Sequence, residues 1–226
     1  AVLDIASATV TKILPAHITD HSQVPLDTSN KDGAAQLRTL GVKGLSMPDS
    51  IGAFKAGAKT YFATANEGDA REWGVAEDEG GTGVYTDETE LKDLIKEDKV
   101  CEGALGDVVL DEVANKKVAG NLKVTNASGW NEEKGCFEEV YSYGTRSFSI
   151  YDEAGNVVFD SSSQFEEISA KLHAEAVLNH NADNESAEFD DRSDNKGPEP
   201  EALAIGKVGD KTYAFVGAER LGGIFV

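Results

Sequence analysis

The chain has 226 residues, 40% of them hydrophobic, with 41 acidic against 21 basic side chains and a formal charge of −20. No apolar run reaches the length of a membrane-spanning helix. A negative field of this size argues against nucleic acid and anionic lipid as partners, and favours a solvated acidic surface, a set of cation sites, or both.

The N-terminus, Ala1 to Ile5, has neither a basic region nor an apolar stretch of the kind that opens a signal peptide. The C-terminus, Gly222 to Val226, stops in what reads as a strand. A processed chain or an excised piece would both look like this, and a piece of a longer domain is the expectation. Next along the chain, His17 and His21 with Asp20 form HITDH. Histidines four apart can share a metal if the segment is helical, but here it follows Pro15 and enters a polar loop, so a surface loop is expected.

The strongest internal signal is a repeat. Residues 48–68 (PDSIGAFKAGAKTYFATANEG) align without a gap to 200–220 (PEALAIGKVGDKTYAFVGAER), an offset of 152 from Pro48 to Pro200. Each unit reads as a β-hairpin: an apolar strand, a polar turn in which glycine supplies a positive φ, and a second strand rich in aromatic and β-branched residues. The spacing suits three or four units of about 40–50 residues, the size of a β-propeller blade. Between the copies, 117–125, 137–143, 146–152 and 156–160 read as further strands, with a turn at 153–156.

Two helical insertions are predicted. Residues 87–98 place Leu91, Leu94 and Ile95 on one face, and 163–178 open with a Ser163–Glu166 capping-box pattern before Phe165, Ile168 and Leu172. The loops at 20–33, 77–83 and 179–200 are too polar to be core by composition, and His173 and His180 are expected at the surface or at a helix boundary. Trp73 and Trp130 suit ordinary packing, with sugar stacking as the alternative. Cys101 and Cys136 are too few for a disulfide scaffold. In an exported chain they would form one bridge, worth about 3–4 kcal/mol on the chain-entropy model, and elsewhere two thiols.

Three acidic segments carry the candidate chemistry: Glu67 and Asp69 with Arg71, then Asp190, Asp191, Asp194, Glu199 and Glu201 with Arg192, then Glu219 with Arg220. The carboxylates are of the type calcium takes, without EF-hand spacing, and the arginines could hold phosphate oxygens. The alternative is turn capping and local ion pairing. Strand-end loops of a propeller converge on its central channel, so Glu67 and Glu219 are expected near one another. No nucleophile elbow or phosphate-cradling loop is present.

Residues Asn66–Glu72, Arg146–Asp152, Asp191–Glu201 and Thr212–Gly223, with Leu26–Gly33 and Met47–Asp49, resemble the choice-of-anchor I domain family, which includes alkaline-phosphatase-like and mesenchyme-specific cell-surface glycoprotein-like members. The resemblance implies an extracellular, cell-surface or periplasmic bacterial β-propeller, of which this chain would be one part, joined to the remainder of its own longer chain. The expectation is therefore a mainly all-β chain, residues 1–226 forming a partial propeller of about three to four blades with two short helical insertions. Its function would be a binding or scaffold module for an unknown extracellular ligand, stabilised by a divalent cation, with calcium expected. The alternative is a calcium-dependent phosphoesterase of the atypical alkaline-phosphatase type.

Overall fold

The computed structural model describes residues 1–226. In chain order the strands are β1 (Val2–Asp4), β2 (Thr9–Lys12), β3 (Ile18–Asp20), β4 (Leu26–Asp27), β5 (Leu37–Arg38), β6 (Val42–Leu45), β7 (Ser50–Ala56) and β8 (Lys59–Asn66). An inserted stretch follows: β9 (Glu72–Val75), β10 (Gly83–Thr86), β11 (Glu88–Glu90), α1 (Leu91–Lys96), α2 (Leu110–Val113), β12 (Lys123–Thr125), β13 (Trp130–Asn131), β14 (Cys136–Phe137) and β15 (Val140–Tyr143). The chain ends with β16 (Ser147–Asp152), β17 (Val157–Asp160), α3 (Gln164–Ala174), β18 (Pro200–Val208), β19 (Lys211–Ala218) and β20 (Ile224–Phe225). The chain is mainly β, with short helices.

The two repeat copies fold alike. Hairpins β7–β8 and β18–β19 are both antiparallel and in the same register, Ile51 facing Thr64 as Leu203 faces Val216. Their turns hold Gly57 and Gly209 at φ 62° and 61°. The first hairpin is extended into a four-stranded antiparallel sheet of order β7-β8-β16-β17, and the second into a three-stranded sheet β18-β19-β20. The two sheets pack face to face. Gly52 lies where this packing is closest: a Cβ there would come within 2.8 Å of Ile205 Cγ1. Ala63, Ala65, Phe148, Phe165 and Val216 fill the space between them.

The 152-residue spacing predicts three or four blades. The structure instead holds two sheets of this kind in direct contact. The chain between them supplies β16 and β17 to the first sheet and, with β3 and β6 from before the first hairpin, builds a second layer with its own core. That layer is a five-stranded sheet of order β11-β12-β15-β6-β3, in which β15 runs parallel to β6. Val42, Val124 and Val140 on its inner face pack against Leu91, Leu94 and Ile95 of α1 and against Leu105 and Leu122. A disulfide joins Cys101 to Cys136 at a Cα separation of 5.2 Å, beside the Val100–Phe137 bridge at the edge of this core.

Several sequence expectations change at this level. The predicted helix 87–98 is helical only over Leu91–Lys96, because Glu88–Glu90 pairs as an edge strand with Lys123–Thr125. The predicted 137–143 strand is two strands with different partners. In α3, Ser163 makes no backbone cap and instead donates to Glu167 Oε1 at 2.6 Å. The buried face of α3 is Phe165, Glu166 and Ser169, while Ile168 is exposed. The polar loops are not surface loops throughout. Asp27, Thr28 and Ser29 are buried, as are His180, Asn181, Asp190, Ser193, Asp194, Lys196 and Glu199. His21, predicted on a surface loop, is also buried. Its Nδ1 contacts Val24 O at 2.9 Å, and burial lowers its pKa from the ordinary imidazole value. Trp73 is exposed and stacks on Tyr85, and Trp130 meets Phe137 edge-on.

Candidate functional site: a charged knot at the hairpin ends

Strand β8 ends at Asn66, whose amide donates to Ser147 Oγ at 3.2 Å and Ser149 Oγ at 2.7 Å. Both serines bond to Asp160, so a polar ladder fixes the strand ends before the loop begins. The chain then turns through Gly68 at φ 80°, where a Cβ would lie 1.9 Å from the Gly144 nitrogen. Only glycine allows the 67–71 loop and the β15–β16 loop to touch, and that contact holds Glu67 in place.

From the equivalent end of the second hairpin, the Glu219 amide donates to Glu199 O at 2.8 Å. This brings Glu199 beneath Glu67 and Glu219, whose carboxylate oxygens come within 4.8 Å of one another and of Glu199. Glu199 is fully buried (0% exposed). Arg192 grips its Oε1 through Nη2 at 2.7 Å and Nε at 3.0 Å. Lys196 Nζ lies 3.2 Å from its Oε2 and 2.7 Å from Glu67 Oε1. Arg220 Nε approaches the same Oε2 at 3.6 Å and Glu219 at 3.5 Å.

The cation among the three glutamates is therefore the ammonium of Lys196. Burial alone would lower its pKa, but Glu67, Glu199 and Asp69 together raise it above the ordinary lysine value. Burial raises Glu67 despite Lys196, and raises Glu219 despite Arg220.

The structure distributes the predicted site residues over several places. Glu67, Glu199, Glu219, Arg192 and Arg220 meet in the knot, with Asp69 at its rim 3.4 Å from Lys196. Glu201 joins Asp49 and Glu67 in a neighbouring, more open carboxylate group. Arg71 lies apart, bonded through Nε to Asp87 Oδ2 at 2.7 Å. Asp194 is buried near Lys31 and Lys123, and its carboxyl is pushed up to about 6 by burial. Asp191 contributes its carbonyl oxygen to the Asn30 amide at 3.4 Å. Asp190 lies in a separate buried cluster with Asp27 and His180.

Beside that cluster runs an ion pair absent from the sequence reading. Arg146 Nη1 donates to Glu166 Oε1 at 2.7 Å and Asp27 O at 2.7 Å, and Nη2 donates to Ser193 O at 2.8 Å and Asn195 O at 2.9 Å. The sequence carried weak signals for these groups. Lys196 sits within the distinctive 191–201 block, and Glu166 in a pattern that equally describes a helix cap.

The family model of the choice-of-anchor I domain matches residues 1–226. The chain belongs to the choice-of-anchor I domain family. Gigasin-3a of Magallana gigas is 32% identical over 120 residues, covering 52% of this chain and 42% of that protein. The mesenchyme-specific cell surface glycoprotein of Strongylocentrotus purpuratus is 25% identical over 232 residues, 95% of this chain and 30% of that protein. This choice-of-anchor I chain thus spans less than half the length of either relative. No solved structure matches it. No helix is long and apolar enough to cross a membrane.

Proposed function

We propose that this choice-of-anchor I chain is part of an extracellular or cell-surface β-propeller that acts as a binding and scaffold module. The observation that carries the reading is the pair of matching hairpins, packed face to face, whose second-strand ends meet in one charged knot. An antiparallel sheet of order β7-β8-β16-β17, with the 67–146 stretch inserted between its second and third strands, has the up-and-down order of a propeller blade. A following hairpin stacked on its face is the start of the next blade. Location at the cell surface agrees with the similarity to the mesenchyme-specific cell surface glycoprotein of Strongylocentrotus purpuratus. In this reading the knot is a clasp between blades, because Arg192 is held by Glu199, and Lys196 by two glutamates.

An electron cryo-microscopy map of the full-length protein tests the arrangement. Radially stacked sheets with Glu67 and Glu219 turned towards a common axis are expected, and a flat two-sheet sandwich would overturn the proposal. Turnover of a chromogenic phosphate ester that is lost in Arg192→Ala would overturn the scaffold reading in favour of the phosphoesterase.

A further inference from the structure

We infer that Asp27, His180 and Asp190 form a buried site for one divalent cation of the zinc class, which cross-links the β4 hairpin to the 179–191 loop. Their three ligand-type atoms lie within 4.8 Å of one another, and all three residues are buried. The backbone positions them before any cation is bound. The Asp190 amide donates to His180 O at 2.8 Å, and the Arg192 amide to Asn181 O at 2.8 Å, so the two ends of the loop are tied together.

The decisive feature is the direction of the free lone pairs. Ser169 Oγ lies 3.1 Å from Glu166 O and 2.8 Å from His180 Nδ1; with its single hydrogen given to Glu166 O, the imidazole proton sits on Nδ1 and faces Ser169 Oγ. His180 Nε2 is then a bare acceptor. It is 0% exposed, makes no hydrogen bond, and sits 3.3 Å from the carboxylate oxygen Oδ2 of Asp27. Acceptor facing acceptor in a buried setting is unfavourable unless a proton or a metal cation lies between them.

Asp190 repeats the pattern. Its Oδ1 accepts from Ser193 Oγ at 2.5 Å, while its Oδ2 is buried without a partner. Asp190 thus presents a buried oxygen with no hydrogen bond, within 4.8 Å of the ligand atoms of Asp27 and His180. Arg38 answers Asp27 and Asp32, and Arg146 answers Glu166, so two guanidiniums face four carboxylates counting Asp190. A dipositive ion restores the balance. An imidazole held through its other nitrogen, with two carboxylates, is a donor set suited to zinc-class ions, whereas calcium prefers oxygen alone.

The test uses the purified protein, stripped of metal and reloaded with ZnCl2 or with CaCl2 in a large excess of magnesium, which occupies the acidic surface. One zinc per chain retained through gel filtration is expected, with a melting temperature raised by zinc and not by calcium. His180→Gln and Asp190→Asn should each weaken zinc binding at least tenfold, and Glu67→Gln should leave it unchanged. Asp190→Asn has a further signature. It should be at least as stable as wild type in metal-free buffer, and less stable with zinc present. Retention of wild-type zinc by either ligand variant, or equal stabilisation by calcium, overturns the site. Should both variants fail to fold, X-ray absorption of the zinc-loaded wild type decides it: an imidazole in the first shell supports the inference, and an all-oxygen shell defeats it. The result does not depend on the propeller arrangement.

Discussion

Replacing Arg146 by methionine keeps the stem of the side chain and removes its guanidinium. Arg146 is 3% exposed, and its four hydrogen bonds tie together β4, α3 and the 193–195 turn. Removing one partner of a buried ion pair costs about 3–5 kcal/mol. Glu166 Oε1 keeps the Asn181 amide at 2.8 Å, which favours the lower end. Three carbonyls also lose a charged donor, at about 1 kcal/mol each. The combined loss is about 6 kcal/mol, a fall in melting temperature of about 12–24 °C for a chain of this size. Thermal unfolding followed by circular dichroism measures the shift, and urea midpoints give the free energy. Adding Glu166→Gln to Arg146→Met removes the stranded charge and should recover about 1–2 kcal/mol. An Arg146→Met protein within 1 kcal/mol of wild type, or one indifferent to Glu166→Gln, would refute the reasoning.

Three further outcomes follow from the same geometry. Lys196→Met leaves Glu67 and Glu199 facing each other with only the arginines in reach, and should lower stability by about 2–3 kcal/mol in urea unfolding; an unchanged midpoint contradicts a clasp. Gly68→Ala combines a left-handed φ with a clash against Gly144 and should cost about 3 kcal/mol or more, whereas Gly57→Ala, at φ 62° in open space, should cost about 1 kcal/mol. Equal effects of the two substitutions would remove the close-approach argument. Asp194 binds its proton more tightly folded than unfolded, with a carboxyl raised from 3.8 to about 6. Stability from this group is therefore full below about pH 4 and is lost as pH rises to about 6, by at most about 3 kcal/mol. Asp194→Asn should flatten that part of the stability curve, and an unaltered slope would show that the titrating group lies elsewhere.

The hairpins were legible because their evidence is local. Alternation, a glycine turn and a second copy in the same register require no knowledge of distant partners. The face of α1 was legible for the same reason, since Leu91, Leu94 and Ile95 lie within one turn or so of each other. The polar interior was not. Composition assigns Asp27, His180 and Asp190 to loops, and they do lie in irregular or barely paired backbone. Asp27 is held by Arg146 and Glu166, His180 by Ser169 and Asp190 by Ser193, side-chain and backbone contacts that composition does not display. A capping-box pattern at 163–166 concealed Glu166, because its spacing fits a helix start equally well. The knot at the hairpin ends was half legible: the acids were evident, but the lysine that neutralises them was not.

The parallel pairing of β6 with β15 joins residues 42–45 to 140–143, and the Gly52–Ile205 contact joins parts of the chain still further apart. Neither can form until most of the polypeptide has been made, and contacts of such long range slow folding. Until then Val42 lacks its partner Val140, while the local hairpins β7–β8 and β18–β19 need no distant residue to pair.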